Sequence, residues 1–454
     1  MNETGRPEPG WYPDPLDDGR YRRWDGRSWT DETVDRTAAR AAPPPRPAAR
    51  PATPPAAAAT PTTPTPPAVA TTPSPPPPAE PAGPERPGPE RPRIRRLAWC
   101  GALLAACAAT FTAGFFVGRP DAPAGPITLA GADRATCALQ DGVVRCWGAL
   151  DGTTARPVEV LDDVAAITGG GTAFCARRRD GTARCWTVDD PTPTDSGLSG
   201  VVDVSVSSTH ACALLDDGTV WCWGADDHGQ LGSGEPGPGH AEPIEADIVD
   251  ATAVAVGDGF SCVSVGSGEV VCWGRNDLGQ TGQADGGPVV LDPLEVPGVE
   301  GATDLVAGTG HMCAVVDDGV PWCWGDNGRG QLGRGAAEPS SATPADVLNL
   351  RGVTALESSG WSSCAIDARG LVSCWGDDTF GQLGDGRRTD PRRQPVAARL
   401  PAPATSIAVG SFHTCAALTD GTVRCWGANS EGQLGDGTTA ESTEPVEVVL
   451  RRPG

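Results

Sequence analysis

Fourteen cysteines stand in seven pairs: Cys137 and Cys146, Cys175 and Cys185, Cys212 and Cys222, Cys262 and Cys272, Cys313 and Cys323, Cys364 and Cys374, Cys415 and Cys425. Each second cysteine is followed by Trp. Thiols in such numbers either ligate metal or close disulfides. Zinc fits poorly, because no C-x2-C spacing occurs and five histidines cannot complete seven sites. A turn signal lies inside the pairs, as at Asp141-Gly142, Asp217-Gly218 and Arg369-Gly370, flanked by short apolar runs, which is a hairpin pattern. A three-residue loop Asp216-Asp217-Gly218 sets Leu215 opposite Thr219 and so Cys212 opposite Cys222. A two-residue turn at Asp141-Gly142 likewise sets Cys137 opposite Cys146. Directly opposed residues have Cα atoms about 4.5–5.5 Å apart, within disulfide reach. The spacing therefore predicts one disulfide per hairpin, each worth at most about 3 kcal/mol in the chain-entropy picture.

These bonds constrain the elements that carry them. Trp223 has opposite parity to Cys222, so indole and disulfide project from opposite faces of a small sheet, and both faces need cover. Four-stranded sheets packed face to face around an axis supply that cover and keep edges short. The expected fold is all-β, a seven-bladed propeller; an open solenoid is the rival architecture. Seven units and a repeat of about 50 residues favour ring closure.

Upstream, the composition changes. Residues 1–36 form a small Trp-rich segment with Trp11, Trp24 and Trp29, in which the aromatics read as a miniature core or, alternatively, a proline-rich ligand site. Residues 37–96 are almost entirely Pro, Ala, Thr and Arg, read as a disordered linker that ends in a basic cluster. Residues 97–117, Leu97 to Val117, carry no charge over 21 residues and are expected to form one transmembrane helix. Four arginines precede it, which puts the N-terminus in the cytoplasm and the rest outside. A cleaved signal peptide is the alternative, but 96 preceding residues are too many for its basic start. A lipobox-like Leu104-Ala-Ala-Cys107 is followed by further apolar residues where a lipoprotein turns polar. Cys100 and Cys107 lie in this span, so no thiol is left over outside. Residues 118–126 link to the propeller at 127–454. From 119 onward, 21 Arg face 46 acidic residues, a net of −25, which excludes a phosphate-gripping surface and hence a nucleic-acid partner.

In five repeats a longer string follows the second cysteine: Trp223 and Gly224 with Gln230 in Gly-Gln-Leu-Gly, Trp273 with Gln280, Trp324 with Gln331, Trp375 with Gln382, and Trp426 with Gln433. With Val409-Gly-Ser-Phe-His-Thr-Cys415 upstream, these motifs resemble the regulator of chromosome condensation family, whose members are seven-bladed propellers. The resemblance covers about 125–454. The segment Pro9-Gly-Trp-Tyr-Pro-Asp-Pro15 with Arg20 to Gly26 is similar to a small bacterial domain of unknown function found ahead of membrane spans. Asx residues at 226, 276, 327, 378 and 429 are placed to cap their own turns. Repeats one and two lack Gly-Gln-Leu-Gly after Trp147 and Trp186 and should each lack a loop. The closing segment Glu444-Pro-Val-Glu-Val-Val449 is expected to pair with blade one near Ile127 to Ala130 and close the ring.

No Ser-His-Asp, H-E-x-x-H or P-loop arrangement occurs, so no enzyme activity, cofactor or metal is expected. His210, His311 and His413, each two residues before a hairpin cysteine, read as structural. Asp377-Asp378 lacks the remaining ligands of a calcium loop. For nuclear members the resemblance implies nucleotide exchange and chromatin binding, which charge and location oppose. Secreted bacterial members, one of which inhibits β-lactamases, are better analogues. The expected function is an extracytoplasmic, membrane-anchored module that binds a protein through its loops. The alternatives are inhibition of a secreted hydrolase, or cell-wall glycan binding through exposed Trp221, Trp322 and Trp361. A small-molecule ligand is not expected.

Overall fold

A computed structural model describes residues 10–14, 17–24, 29–35, 125–150, 153–266, 268–316, 319–389 and 391–449. Near the N-terminus, strands Gly10–Asp14, Asp17–Trp24 and Trp29–Asp35 form a three-stranded antiparallel sheet in which Trp24 lies opposite Trp29. Leu97 to Val117, the expected transmembrane helix, lies outside the described residues. Among those described, no helix is long and apolar enough to cross a membrane.

From residue 128 the chain makes seven sheets, each an antiparallel meander of four strands in sequence order. Numbered as blades one to seven, they span 128–161, 164–195, 201–245, 251–295, 304–346, 353–397 and 404–447. Successive innermost strands touch around a ring that closes between the last blade and the first. The central hairpin of each blade carries its disulfide in the expected register, Cys212 opposite Cys222 and Cys137 opposite Cys146, with all seven Cα–Cα distances at 4.0–4.1 Å. Asp141 and Gly142 both take positive φ, 53° and 83°, as a two-residue hairpin turn requires.

Opposite parity of Cys and Trp produces the packing between blades. The disulfide face of each blade meets the tryptophan of the next: Cys212 and Cys222 pack with Trp273, Cys262 and Cys272 with Trp324, Cys313 and Cys323 with Trp375, Cys364 and Cys374 with Trp426. The same contact closes the ring, where Cys415 and Cys425 pack with Trp147 of blade one. Sulfur and indole are each taken fully out of water in these seams.

Ring closure differs from the sequence expectation. The strand Ser442–Glu447 does not pair near Ile127 to Ala130; it is the outermost strand of blade seven, with Val446 opposite Cys425. Thr128–Gly131 is the innermost strand of blade one and pairs only within that blade. The reason is phase: every blade is built from one uninterrupted repeat, so no strand is left to lend across the seam. Closure rests instead on side chains, Trp147 Nε1 donating to Gln433 O at 2.9 Å, Thr136 Oγ1 bonded to His413 Nε2 at 2.7 Å and Leu129 N donating to Ser406 Oγ at 3.0 Å.

Candidate interaction surface

The meander alternates its connections between two faces. Hairpin turns with the disulfides, together with the crossings between blades, occupy one face. The turns between first and second strands occupy the other with the Gly-Gln-Leu-Gly loops. These loops run through 227–236, 276–288, 327–339, 377–391 and 428–441, whereas blades one and two connect by 150–152 and 188–193 only. The loop face is thus an arc of five blades with a low stretch over two.

Each loop is held by the motif residues. Gln230 Oε1 accepts His228 N at 2.8 Å, Asp226 Oδ1 accepts Leu231 N at 3.0 Å, and Gln230 O accepts Trp273 Nε1 at 2.9 Å. Asn276, Asn327, Asp378 and Asn429 accept in the same way from Thr281, Leu332, Leu383 and Leu434. Gln280, Gln331 and Gln382 give their carbonyls to Trp324, Trp375 and Trp426 at 3.0, 2.8 and 2.7 Å. Gly224 follows its Trp at φ 115°, and a Cβ there would stand 2.6 Å from Thr209 O; the register slips at this point so that the outer strand can leave for the loop. Asp378 also accepts Thr389 N at 3.0 Å, so Asp377-Asp378 caps its own loop. Among the described residues no cluster of acids, histidines and cysteines could hold a metal.

The three histidines serve the seams. His210 Nε2 bonds Ser261 Oγ at 2.7 Å, and His311 Nε2 bonds Ser363 Oγ at 2.9 Å. Ser261 gives its own proton to Gln230 O at 2.8 Å, so it must accept from His210, which places a proton on Nε2. Burial lowers all three, His210 to about 3 and His311 and His413 to about 4. None has the exposure or partner that proton transfer to a substrate needs.

Three carboxyls sit on innermost strands, where protein encloses them although water reaches them. Burial raises Glu357 to about 8, helped by the nearby charge of Asp304, and raises Asp203 to about 6 although it accepts from the main chain of Val204 and Val254. Asp304, also raised by burial, accepts from Leu356 and Leu305. Asp203 and Asp304 thus cap main-chain amides of the neighbouring blade, Val254 and Leu356. At the loop-face end the axis narrows among Gly170, Val206, Gly257 and Gly308 to about 20 Å³, too little for a ligand.

On the loop face three aromatic rings from two blades meet. Phe412, in the first turn of blade seven, packs against Trp361, in the first turn of blade six, at 5.9 Å between ring centres, and edge-on against Phe380 of the blade-six loop at 5.4 Å. All three are only half-buried. Trp361 and Phe412 share one repeat position with Arg134, Thr172, Thr209, Gly259 and Gly310, and Phe380 shares one with His228, Leu278, Arg329 and Glu431. Sequence reasoning singled out Trp361 and missed both phenylalanines; aligning the repeats by column would have found them, because rings there replace Gly and polar residues in consecutive blades. Trp221 and Trp322, expected as exposed companions of Trp361, are half-buried, on the third strands of blades three and five. They do not assemble with it.

Comparisons place this architecture. The family model described as the RCC1-like domain matches residues 187–453, and a model described as a protein of unknown function, DUF2510, matches residues 9–58. The E3 ubiquitin-protein ligase HERC2 of Homo sapiens is 36% identical over 146 residues, which are 31% of this chain and 3% of that protein. The Ultraviolet-B receptor UVR8 of Arabidopsis thaliana is 32% identical over 147 residues, 32% of this chain and 33% of that receptor. The matched stretch therefore spans a third or less of either relative. Prp20p of Saccharomyces cerevisiae, in a structure reported with its binding to Gsp1p and histones, superposes with a TM-score of 0.59 at 17% identity, over 71% of this chain and 86% of that one. That likeness concerns the fold.

Proposed function

Because the chain belongs to the RCC1-like propeller family, a protein-interaction fold, we propose that it is a membrane-anchored module that captures a protein outside the cytoplasm through the aromatic end of its loop face. The observation that carries this reading is the Trp361, Phe412 and Phe380 cluster, three half-buried rings held together on loops the rigid seams support. Clustered aromatics with one wet side are what binding hot spots are made of. Prp20p, reported with its binding to Gsp1p and histones, supports a protein partner in general and neither of those in particular. A net of −25 after residue 118 is a poor counterpart for nucleic acid.

Support for the location comes from Leu97 to Val117, uncharged and preceded by arginines, and from fourteen cysteines paired in hairpins, which need an oxidising compartment. Two free thiols in the denatured, unreduced protein, Cys100 and Cys107, fit that location; sixteen would overturn it. Inhibition of a secreted hydrolase is the special case in which the captured protein is an enzyme. Wall-glycan binding is less well supported, because Trp221, Trp322 and Trp361 are scattered over three blades.

The test is affinity capture from envelope and secreted fractions with the oxidised full chain in detergent and with its Trp361→Ala/Phe412→Ala variant. One partner retained by the parent and lost from the variant is the expected outcome. A partner retained equally by both would refute the assignment of the surface.

A further inference from the structure

Among the described residues, six seams are closed by a buried loop or aromatic residue; in the seam between blades two and three Cys175, Val206 and Ala211 pack, but a cleft remains beside them. In five seams the preceding blade inserts Gly-Gln-Leu-Gly or Gly-Gln-Thr-Gly: Leu231, Thr281, Leu332, Leu383 and Leu434 are fully buried, and the Gln carbonyl takes the indole N–H of the next blade. The seam between blades one and two has no such loop, but Leu150 and Phe174 pack there around Trp186. Between blades two and three, three changes coincide. Thr187-Val188-Asp189 follows Trp186 in place of the motif. Ala173 stands where other blades have His210, His311 and His413, and Ala211 stands where they have Ser261, Met312, Ser363 and Thr414.

A cleft of about 350 Å³ results, lined by Ala173, the Cys175–Cys185 disulfide and Thr194 of blade two and by Ala211 and Trp223 of blade three. Its two walls are the same disulfide face and indole face that a loop bridges elsewhere, left open. Cys185 is half-buried, unlike the other thirteen paired cysteines, which are fully buried. Trp223 is half-buried, where Trp147, Trp273, Trp324, Trp375 and Trp426 are fully buried. With no loop in blade two, its Nε1 lacks the glutamine carbonyl those five receive.

We infer that this cleft receives an extended peptide segment from a partner protein, which lays a leucine-sized aliphatic side chain on the Cys175–Cys185 disulfide and turns a main-chain carbonyl to Trp223 Nε1. The molecule itself specifies that chemistry, because its own Gly-Gln-Leu-Gly segments satisfy the same pair of walls in the neighbouring seams. The size is that of a small-ligand pocket, and its lining sets the apolar Ala173, Cys175–Cys185, Ala211 and Trp223 beside the polar Thr187, Asp190, Thr192 and Ser207, so an aliphatic side chain meets the first set while a peptide main chain can bond to the second. This site is separate from the Trp361 cluster, and substitutions at one leave the other intact.

The test uses the full chain in detergent and a capped Gly-Gln-Leu-Gly peptide with photo-leucine at the Leu position, adducts being mapped by mass spectrometry. Saturable labelling within 173–194 and 206–224 is expected, at least tenfold weaker with an excess of unlabelled Gly-Gln-Leu-Gly but unaffected by Gly-Gln-Ala-Gly. Ala211→Met should reduce labelling at least tenfold while keeping the parental melting temperature, since Met312 fills that position in blade five. Trp223→Phe should weaken labelling without abolishing it, because the apolar wall remains. Labelling that does not saturate, or that persists in Ala211→Met, overturns the proposal. So does an unlabelled cleft that becomes reactive only when residues 37–96 are deleted, since the occupant would then be this chain.

Discussion

The indole-to-carbonyl bond that crosses five of the seams gives a sharp internal comparison, because Trp147 makes it and Trp186, equally enclosed, does not. Trp147 is fully buried and donates to Gln433 O at 2.9 Å, and no second donor to that carbonyl stands beside it as Ser261 does at Gln230. Trp186 is 3% exposed, and its Nε1 is buried without an acceptor among the described residues. Replacing either by Phe removes a similar volume, which costs about 1 kcal/mol through the cavity left. Trp147→Phe also strands a buried carbonyl, a further cost of about 1–3 kcal/mol. Trp186→Phe removes an unpaired donor and returns a similar amount, while the stacking partner Phe174, 5.8 Å from the Trp186 ring, still meets an aromatic face. The two variants should therefore differ by about 2–6 kcal/mol, with Trp147→Phe the less stable. Urea denaturation of the oxidised proteins, followed by far-ultraviolet circular dichroism, measures the difference. Equal losses, or a greater loss for Trp186→Phe, would refute the view that the carbonyl bond, and not indole volume alone, holds the seams.

Other expectations follow from the same seams and from the buried titratable groups. His413 stays neutral in the fold down to about pH 4 but ionises near 6.5 when unfolded, so its stabilising contribution is present above 6.5 and is lost as pH falls toward 4. At pH 5 the loss is about 2 kcal/mol per histidine, and His413→Gln should flatten the fall in melting temperature between pH 7 and 5 relative to the parent. Glu357 has the opposite sign: raised to about 8, it favours the fold below its unfolded value and weakens it as pH climbs through 8, so Glu357→Gln should gain stability over the parent at pH 9 and gain little at pH 5. Ending the chain before Glu444 removes most of blade seven's outermost strand and with it Val446 and Val448, but leaves Trp147, Thr136 and His413 in place. That truncation should lower the melting temperature while one cooperative transition survives; separate melting of blade one from blade seven would restore strand pairing as the closing device.

The periodic features were legible because they answer to local rules. Cys-to-Cys register follows from the length of a hairpin turn, and Asx and Gln capping follow from spacing within one loop. The placement of Trp on the face opposite the disulfide follows from the two-residue period of a strand. Ring closure was not legible, because Glu444 to Val449 looks the same whether it is the last strand of its own blade or the first of another. Only the three-dimensional phase of 128–161 against 404–447 separates those cases. The Trp361, Phe412 and Phe380 cluster was half legible: Trp361 is conspicuous alone, whereas Phe380 and Phe412 lie in different repeats and acquire meaning only when adjacent blades bring them to 5.4 Å.

The distribution of repeated and unrepeated residues argues for where function resides. Positions that bridge blades hold the same chemistry round most of the ring: disulfide, Trp, Gln and the small glycine after Leu, where a Cβ on Gly384 would stand 2.6 Å from Trp426 Nε1. They are tied to one another, so a change at one disturbs its partner in the next repeat. The turn column from Arg134 to Phe412 and the loop column from His228 to Glu431 hold no single residue type round the ring, and their contacts across the seams differ from blade to blade, Thr209 Oγ1 accepting from Gly259 N at 3.1 Å and Trp361 meeting Phe412 ring to ring. A ring built this way keeps its shape while those columns vary, and two departures from uniformity stand out on it. One is an excess, aromatic rings gathered on blades six and seven; the other is a deficit, the cleft in the seam of blades two and three. A passive scaffold would need neither, and a protein that recognises a partner gains a ridge from the first and a socket from the second.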